Sequence, residues 1–360
     1  MKILDFFFDA YDSSRKLLSG KSGKSADQSN ENPGWIARSI PTALILLIII
    51  SLVLGFLWDS EPDSFNPVQR AVELSAERGE DMTTGYITTS TLIITAETLL
   101  DKRGGYLSND KFPPGVFMDN IPNWEFGVLT QIRDLTLALR NDITRSQSQS
   151  VEDKDIIEAD NKFRIDSESW MLPAAESEYR KGIKSLYNYL DRLADKDAKN
   201  VQFYARADNL AVWLGLASKR LGSLSQRLSA SVGQTRMNTD LAGDSAAHQS
   251  TPTSNMVEVK TPWLQIDDIF YEARGSAWAL SHLLKAAESD FQDVLRKKNA
   301  LVSLQQIIRE LDSTQDTLWS PMVLNGGGFG MFANHSLVMA NYISRANAAV
   351  IDLQQLLKQG

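Results

Sequence analysis

FYARADNLAVWLGLASKRLGSLSQRL, residues 203–228, places Phe203, Ala207, Leu210, Leu214, Ala217, Leu221, Leu224 and Leu228 at alternating spacings of four and three. Apolar residues recurring every 3.5 positions form one stripe of a helix, and a stripe held for nearly four heptads is built to pack against another helix. The same pattern recurs on either side. Upstream, Tyr179, Ile183, Leu186, Leu190 and Leu193 make a second seam, and Val128, Ile132, Leu135, Leu139 and Ile143 mark a third, with Asn123 as its candidate N-cap. Downstream, Ala273, Ala277, Leu280, Leu284, Ala287, Phe291 and Val294 begin a run that continues through Leu301, Leu304, Ile308 and Leu311, which predicts one very long helix or two meeting near residues 297–299. Met339, Tyr342, Ala346, Ala349, Leu353 and Leu356 close the chain. Small residues within these seams let helices approach closely, so the expected fold is all-α, an elongated antiparallel bundle behind a single N-terminal transmembrane helix. A seam left open would instead accept a partner's helix.

Two stretches depart from that pattern. YITTSTLIIT, residues 86–95, is rich in β-branched residues, as a strand would be. It is read as the start of a helix running on through Glu97 and Leu100, because a lone strand would have nothing to pair with. Residues 233–259 are polar and aperiodic, and are expected to form a disordered excursion between two bundle helices.

Residues 39–58, SIPTALILLIIISLVLGFLW, are twenty consecutive uncharged residues. At roughly 1.5 Å per residue they match the hydrocarbon thickness of a bilayer. Trp35 and Trp58 bracket the span where an aromatic belt would sit, and Pro41 lies near its first turn. Six basic residues precede the span, whereas the first fifteen residues after it hold only Arg70 beside Asp59, Glu61, Asp63 and Glu73. The positive-inside rule then puts the N-terminus in the cytoplasm and the large domain outside. A signal peptide would need a shorter apolar core and a small-residue cleavage site, neither of which is present. The expected organisation is a cytoplasmic tail over 1–38, with an interfacial helix at 1–18 and a flexible linker at 19–34. The span at 39–58 follows, then a periplasmic bundle in two parts, 59–232 and 260–360, separated by the 233–259 loop. The expected setting is the bacterial inner membrane.

With no cysteine, the chain has no disulfides, thiolate chemistry or Cys-based zinc sites. The segment beyond the span carries a net charge near −9 and no dense basic run, so nucleic acid is not an expected partner. His248, His282 and His335 form no HExxH pair, and no serine sits in a GxSxG elbow. The glycine-rich residues 323–334, VLNGGGFGMFAN, lack the Lys-Ser/Thr of a P-loop and are read as a helix connection. No catalytic residue, metal ligand or cofactor is assigned.

The densest unusual chemistry lies in residues 101–127, DKRGGYLSNDKFPPGVFMDNIPNWEFG. A long connection with fixed-φ prolines, aromatics and acids is more often a shaped functional loop than slack. Gly104, Gly105, Tyr106, Asn109, Asp110, Pro114, Asp119, Asn120, Trp124 and Glu125 are the candidate ligand- or partner-binding residues. The alternative is that the loop folds back to cap the bundle, with Tyr106, Phe112, Phe117 and Trp124 as packing plugs. Asp110, Asp119 and Glu125 would serve acid–base chemistry only if two of them came within about 5 to 10 Å with one desolvated.

The strings GGYLSND (104–110), PPGVFMDN (113–120) and PNWEFGVL (122–129), following one N-terminal span, resemble the proteobacterial family catalogued as domain of unknown function 2333. That resemblance covers nearly the whole chain. It implies an envelope setting and favours the 101–127 loop, and implies no activity, ligand or catalytic residue. The expected function is a non-enzymatic periplasmic scaffold or adaptor that holds or regulates an envelope complex, its partners being the bilayer and other envelope proteins, with the oligomeric state open. On that expectation Trp124 or Tyr106 can be replaced without unfolding the protein, at the cost of its partner. The alternatives are an envelope enzyme or binder of peptidoglycan, lipid or a small solute, and a single-pass sensor working through Phe6 to Tyr11.

Overall fold

The computed structural model describes residues 35–145, 151–196, 201–237, 256–316 and 335–359. The readings for the tail at 1–18, the linker at 19–34, His248 and the glycine-rich 323–334 lie outside them. Residues 1–50 and 51–360 form two units, and the packing described below lies within the second.

The described residues form eleven α-helices: α1 Trp35–Trp58, α2 Pro67–Arg78, α3 Tyr86–Asp101, α4 Asn120–Ala138, α5 Lys154–Phe163, α6 Ala175–Ala194, α7 Ala207–Ser229, α8 Ile266–Asp290, α9 Gln292–Lys297, α10 Leu301–Ser313 and α11 His335–Lys358. The all-α expectation holds. In α1, Pro41–Trp58 has a mean hydropathy of 2.5 and no buried residue; among the described residues it is the one helix long and apolar enough to cross a membrane. The helix begins at Trp35, four residues ahead of the apolar run, because Ile36, Ala37 and Arg38 offer nothing that breaks it. Pro41 therefore sits inside the helix and not in its first turn.

At the centre of the bundle α4 and α8 touch through their backbones. A Cβ on Gly275 would lie 2.0 Å from the Trp124 carbonyl oxygen, and one on Gly127 would lie 2.2 Å from that of Glu272. No side chain separates the helices at this crossing, so the flanking Trp124 and Trp278 rings meet at 5.3 Å and Gln131 donates to Ser276 Oγ at 2.7 Å. Helices α7 and α11 form the other large contact, with Ser218 donating to Asn347 at 2.9 Å and Gln354 to the Ala211 carbonyl at 2.8 Å. Helices from before and after residues 233–259 thus pack against one another.

The β-branched α3 shows why its sequence is ambiguous. Thr91, Thr95 and Thr98 each donate a hydroxyl to the carbonyl four residues back, at 2.7, 2.7 and 2.8 Å, so a polar β-branched helix is buried without orphaned hydroxyls at those positions. Its N-cap, Gly85, has no side chain to offer. Asp290, the last residue of α8, accepts instead from Gly85 N at 2.9 Å and from Thr88 N and Oγ1 at 2.7 Å.

Several expected boundaries move. The run from Ala273 breaks twice, at Phe291 where Asp290 turns to cap α3, and again at residues 298–300, where Asn299 takes φ 51° and Ala300 N returns to the Leu295 carbonyl. Asp119, not Asn123, caps α4; Pro122 falls in the first turn, where a missing amide hydrogen costs nothing, so the helix starts before it. Asn123 instead donates to Asp268 at 2.8 Å. Phe203 is buried but precedes α7, packing edge-on to Phe291 at 5.6 Å. In α11 the buried stripe is Met339, Ile343, Ala346, Val350, Leu353 and Leu357. It is rotated from the expected seam toward the more aliphatic face, leaving Tyr342 under the Arg345 guanidinium at 5.0 Å. The ends of the expected disordered excursion pair as antiparallel β1 Gln234–Met237 and β2 Met256–Val259, where Met256, Val257 and Val259 favour an extended ladder.

The segment after α1 is laid onto α8. Phe65 stacks on His282 at 4.2 Å and donates its amide hydrogen to Nε2 at 2.9 Å, while Nδ1 bonds the Trp278 carbonyl at 2.6 Å. Burial lowers His282 to about 4. Its neutral form is therefore the folded one, and the stability it supports is complete above the unfolded value near 6.5 and is lost as pH falls toward 4. Urea unfolding of the full chain in detergent, followed by circular dichroism, is expected to show the wild type losing about 2–3 kcal/mol more than His282→Gln between pH 6.5 and 4. In the same assay Gly275→Ala should cost more than about 3 kcal/mol by prising α4 from α8. Gly222→Ala, whose Cβ would meet only Asn347 Nδ2 at 3.5 Å, should change stability by less than about 1 kcal/mol.

Candidate functional site

The 101–127 segment begins where α3 runs out of apolar residues and ends inside α4. It folds around one buried ion pair. Lys102 and Glu125 are both interior side chains in direct contact. Glu125 also accepts from Leu107 N at 2.9 Å, Ser108 N at 2.8 Å and Ser108 Oγ at 2.5 Å, and Lys102 donates to the Gly105 carbonyl. Burial pushes the Glu125 carboxyl above the usual range, and Lys102, Ser108 and the Leu107 amide pull it back. A buried charge pair with every carboxylate oxygen occupied shapes a loop and has no lone pair left for a substrate.

Two further attachments hold the loop in place. Asn109 donates to the Ser169 carbonyl at 2.9 Å and to Glu176 at 2.7 Å. Tyr106 donates to the Ser167 carbonyl at 3.2 Å and meets the Tyr179 ring edge-on at 5.7 Å. Burial raises the Tyr106 hydroxyl well above its ordinary range, so it stays a neutral donor.

The loop also meets the exit of α1. Gly104, at φ +86°, lies under the Trp58 indole, where a Cβ would come within 2.7 Å of Cγ. Pro114 sits against Gly55 of α1, its Cβ 3.6 Å from where a Gly55 Cβ would be. Beyond Trp58 the chain is clamped: Glu61 takes Arg274 Nε at 2.7 Å and Nη2 at 2.5 Å, while Arg274 Nη1 donates to the Thr314 and Asp316 carbonyls at 2.8 and 3.1 Å. This bidentate pair on a buried arginine fastens the first residues after α1 to α8 and the end of α10. Carboxylates crowd the same place. Burial lifts Asp59, a hydrogen bond with Asn120 partly offsetting it, and burial with the charges of Asp267 and Asp119 raises Asp268 to about 6.

The ten candidate residues therefore fall into different roles. Gly104 and Pro114 receive the end of α1, Gly105 supplies a carbonyl to Lys102, and Asn109 and Tyr106 bind the neighbouring 164–174 loop. Asn120 reaches Asp59. The three acids do not converge: Glu125 points inward to Lys102, Asp119 is exposed and accepts from Asn120 N at 3.0 Å, and Asp110 is half-buried against Gly115. Trp124 and Tyr106 are core residues, 0% and 4% exposed, so replacing either removes packing and does not spare the fold as a surface contact would. Of the four aromatics weighed as plugs, these two fill the interior while Phe112 and Phe117 are exposed at the surface.

Sequence reasoning passed over Glu61, Lys102, Gly127, Arg274 and Gly275. The available signals were a glycine and an arginine inside the apolar run of α8, and a glycine in α4, each a mark of close approach or a buried partner. An open cleft of about 640 Å³ adjoins the junction, lined in part by Glu61, Arg70, Glu97, Asp101 and Arg103. Among the described residues no group of His, Asp or Glu is gathered as metal ligands would be.

The chain matches, over residues 30–360, the family described as "Uncharacterized protein conserved in bacteria (DUF2333)", and it belongs to that family. No curated protein and no solved structure matches it.

Removing Lys102 alone strands the Glu125 charge in the interior. Lys102→Met should cost about 3–5 kcal/mol in urea unfolding, and adding Glu125→Gln, which removes the stranded charge and keeps an acceptor for one of the two amides, should recover part of that loss.

Proposed function

We propose that the protein is a non-enzymatic scaffold of the bacterial envelope, anchored in the inner membrane by α1 with its bundle in the periplasm, and that it holds or orients an envelope complex. The observation that carries this reading is the Glu61–Arg274 clamp, joined by Trp58 over Gly104. A tether that only keeps a domain near a membrane works best as a flexible linker. Here the residues after Trp58 are hydrogen-bonded and stacked along α8, so no flexible linker stands between the end of α1 and the bundle. A short, ordered connection suits a protein that must offer one face to a partner. The full engagement of Glu125 by Lys102, Ser108 and the Leu107 amide speaks against acid–base chemistry through it.

A second reading, a binder of a small charged solute, draws on the mixed-charge cleft beside the junction, where Arg70 and Arg103 face Glu97 and Asp101. Cross-linking in intact membranes with a tagged full-length chain, followed by mass spectrometry, separates the two. The scaffold reading expects recurrent envelope proteins with the wild type, and their loss when a flexible Gly-Ser segment is inserted after Ser60 although the protein remains folded and membrane-bound. Retention of every captured partner by the insertion variant would overturn it.

A further inference from the structure

The loops around the exit of α1 carry large apolar side chains that are left exposed among the described residues. Phe112, Phe117, Leu172, Trp263 and Leu264 are between 68% and 92% exposed. They come from three separate connections that hydrogen bonds gather at one end of the bundle. Phe112 and Phe117 flank Pro114, which rests on Gly55. Leu172 belongs to the loop whose Ser167 and Ser169 carbonyls accept from Tyr106 and Asn109. Trp263 and Leu264 lead into α8, whose Asp268 receives Asn123 from the first turn of α4. Leu172 also holds φ 59°, a left-handed geometry a branched side chain adopts only at a cost, and its side chain is the most exposed of the five.

The level of these loops along α1 identifies what covers them. Gly55 lies three residues before Trp58, about 4.5 Å back into the apolar span. Pro114 is therefore in register with the span and not with the water beyond it. A loop that touches the lipid-crossing part of its own anchor, and carries phenylalanines on both sides of that touch, is set at the depth where bilayer and water meet. Aromatic side chains are favoured there, and the neighbouring exposed Lys111 and Arg103 can extend toward headgroups.

We propose that this end of the bundle is a membrane-seating surface, in which Phe112, Phe117, Leu172, Trp263 and Leu264 enter the interface of the bilayer that α1 crosses. The hold is apolar and not electrostatic, since Asp59, Asp119, Asp267 and Asp268 crowd the same end and would repel anionic headgroups. Seating at three loops as well as one helix fixes the tilt of the bundle against the membrane plane. The proposal rests on the reading of α1 as a membrane anchor, and its test reports on the two separately.

The cysteine-free chain accepts single labels without background. Full-length protein carrying an environment-sensitive fluorophore at Leu52→Cys, Phe112→Cys, Leu172→Cys, Leu264→Cys or Val302→Cys is reconstituted in phosphatidylcholine–phosphatidylglycerol vesicles containing nitroxide-bearing lipids. Leu52 reports the anchor, and Val302, 70% exposed at the start of α10, reports a helix end remote from the junction. Quenching by lipid nitroxide at positions 52, 112, 172 and 264, unchanged in high salt, with position 302 quenched only by aqueous iodide, is the expected result. Lipid quenching at 52 with iodide quenching at the three loops would overturn the seating and leave the anchor standing. Iodide quenching at 52 would remove the anchor and the seating with it. Loop labels shielded from both quenchers only in native membranes would assign the surface to a protein partner, and would equally overturn the proposal.

Discussion

Everything else in the bundle is arranged around the place where α4 and α8 meet without side chains between them. Gly127 and Gly275 bring two backbones to a separation that any Cβ would abolish, and the close approach sets the height of every neighbouring layer. Trp124 and Trp278 fill the wedge that opens beside the crossing, and Gln131 reaches Ser276 because the helices are near enough for a short amide to span the gap. The residue on either side of Gly275 is used as well: Arg274 turns out to hold Glu61, and Ser276 turns in to meet Gln131. One helical turn of α8 thus defines both the core and the attachment of the domain to its stem.

The polar groups around that core follow one physical rule. Several charges taken from water are paired, as with Lys102 and Glu125, Arg274 and Glu61, and Asp134 with Arg220 at 2.8 Å. Such pairs add little net stability over an apolar replacement, but each admits a single geometry. Lys102–Glu125 and Glu61–Arg274 tie irregular connections, where apolar packing specifies least, to helices, whereas Asp134–Arg220 joins two helices. The loop that carries GGYLSND and PPGVFMDN is therefore shaped largely by electrostatics, and the helices by periodicity.

That division explains what was legible in the sequence. The seams of α6, α7 and α8 could be read because a regular stripe needs only local spacing, and α11 was read one residue out of phase because Met339, Ala346 and Leu353 belong to two adjacent stripes at once. The helical state of α3 followed from the lack of a partner strand, whereas its hydroxyl bonding and its cap on Asp290 did not, since both depend on groups that only folding brings near. The motif loop stood out by composition, but composition does not tell an inward tryptophan from an outward phenylalanine. Lys102, Glu61 and Arg274 stayed hidden for a related reason: each acquires its meaning from a residue 23 to 213 positions away. The short β-ladder at residues 234–259 escaped because four-residue strands carry too little pattern to rise above a polar background.

The cap on α3 has a consequence for the order in which the molecule comes into being. The first-turn amides of the most deeply buried helix are satisfied by Asp290, some two hundred residues later in the chain. Phe65 waits for His282 and Glu61 for Arg274 over comparable separations. As the chain emerges from the ribosome, its first two-thirds contain helices but no means of completing the central one. Closure over such distances is entropically slow, so the nascent N-terminal portion stays open until α8 arrives. The last third of the protein acts as the keystone of an arch whose first stones are laid long before it.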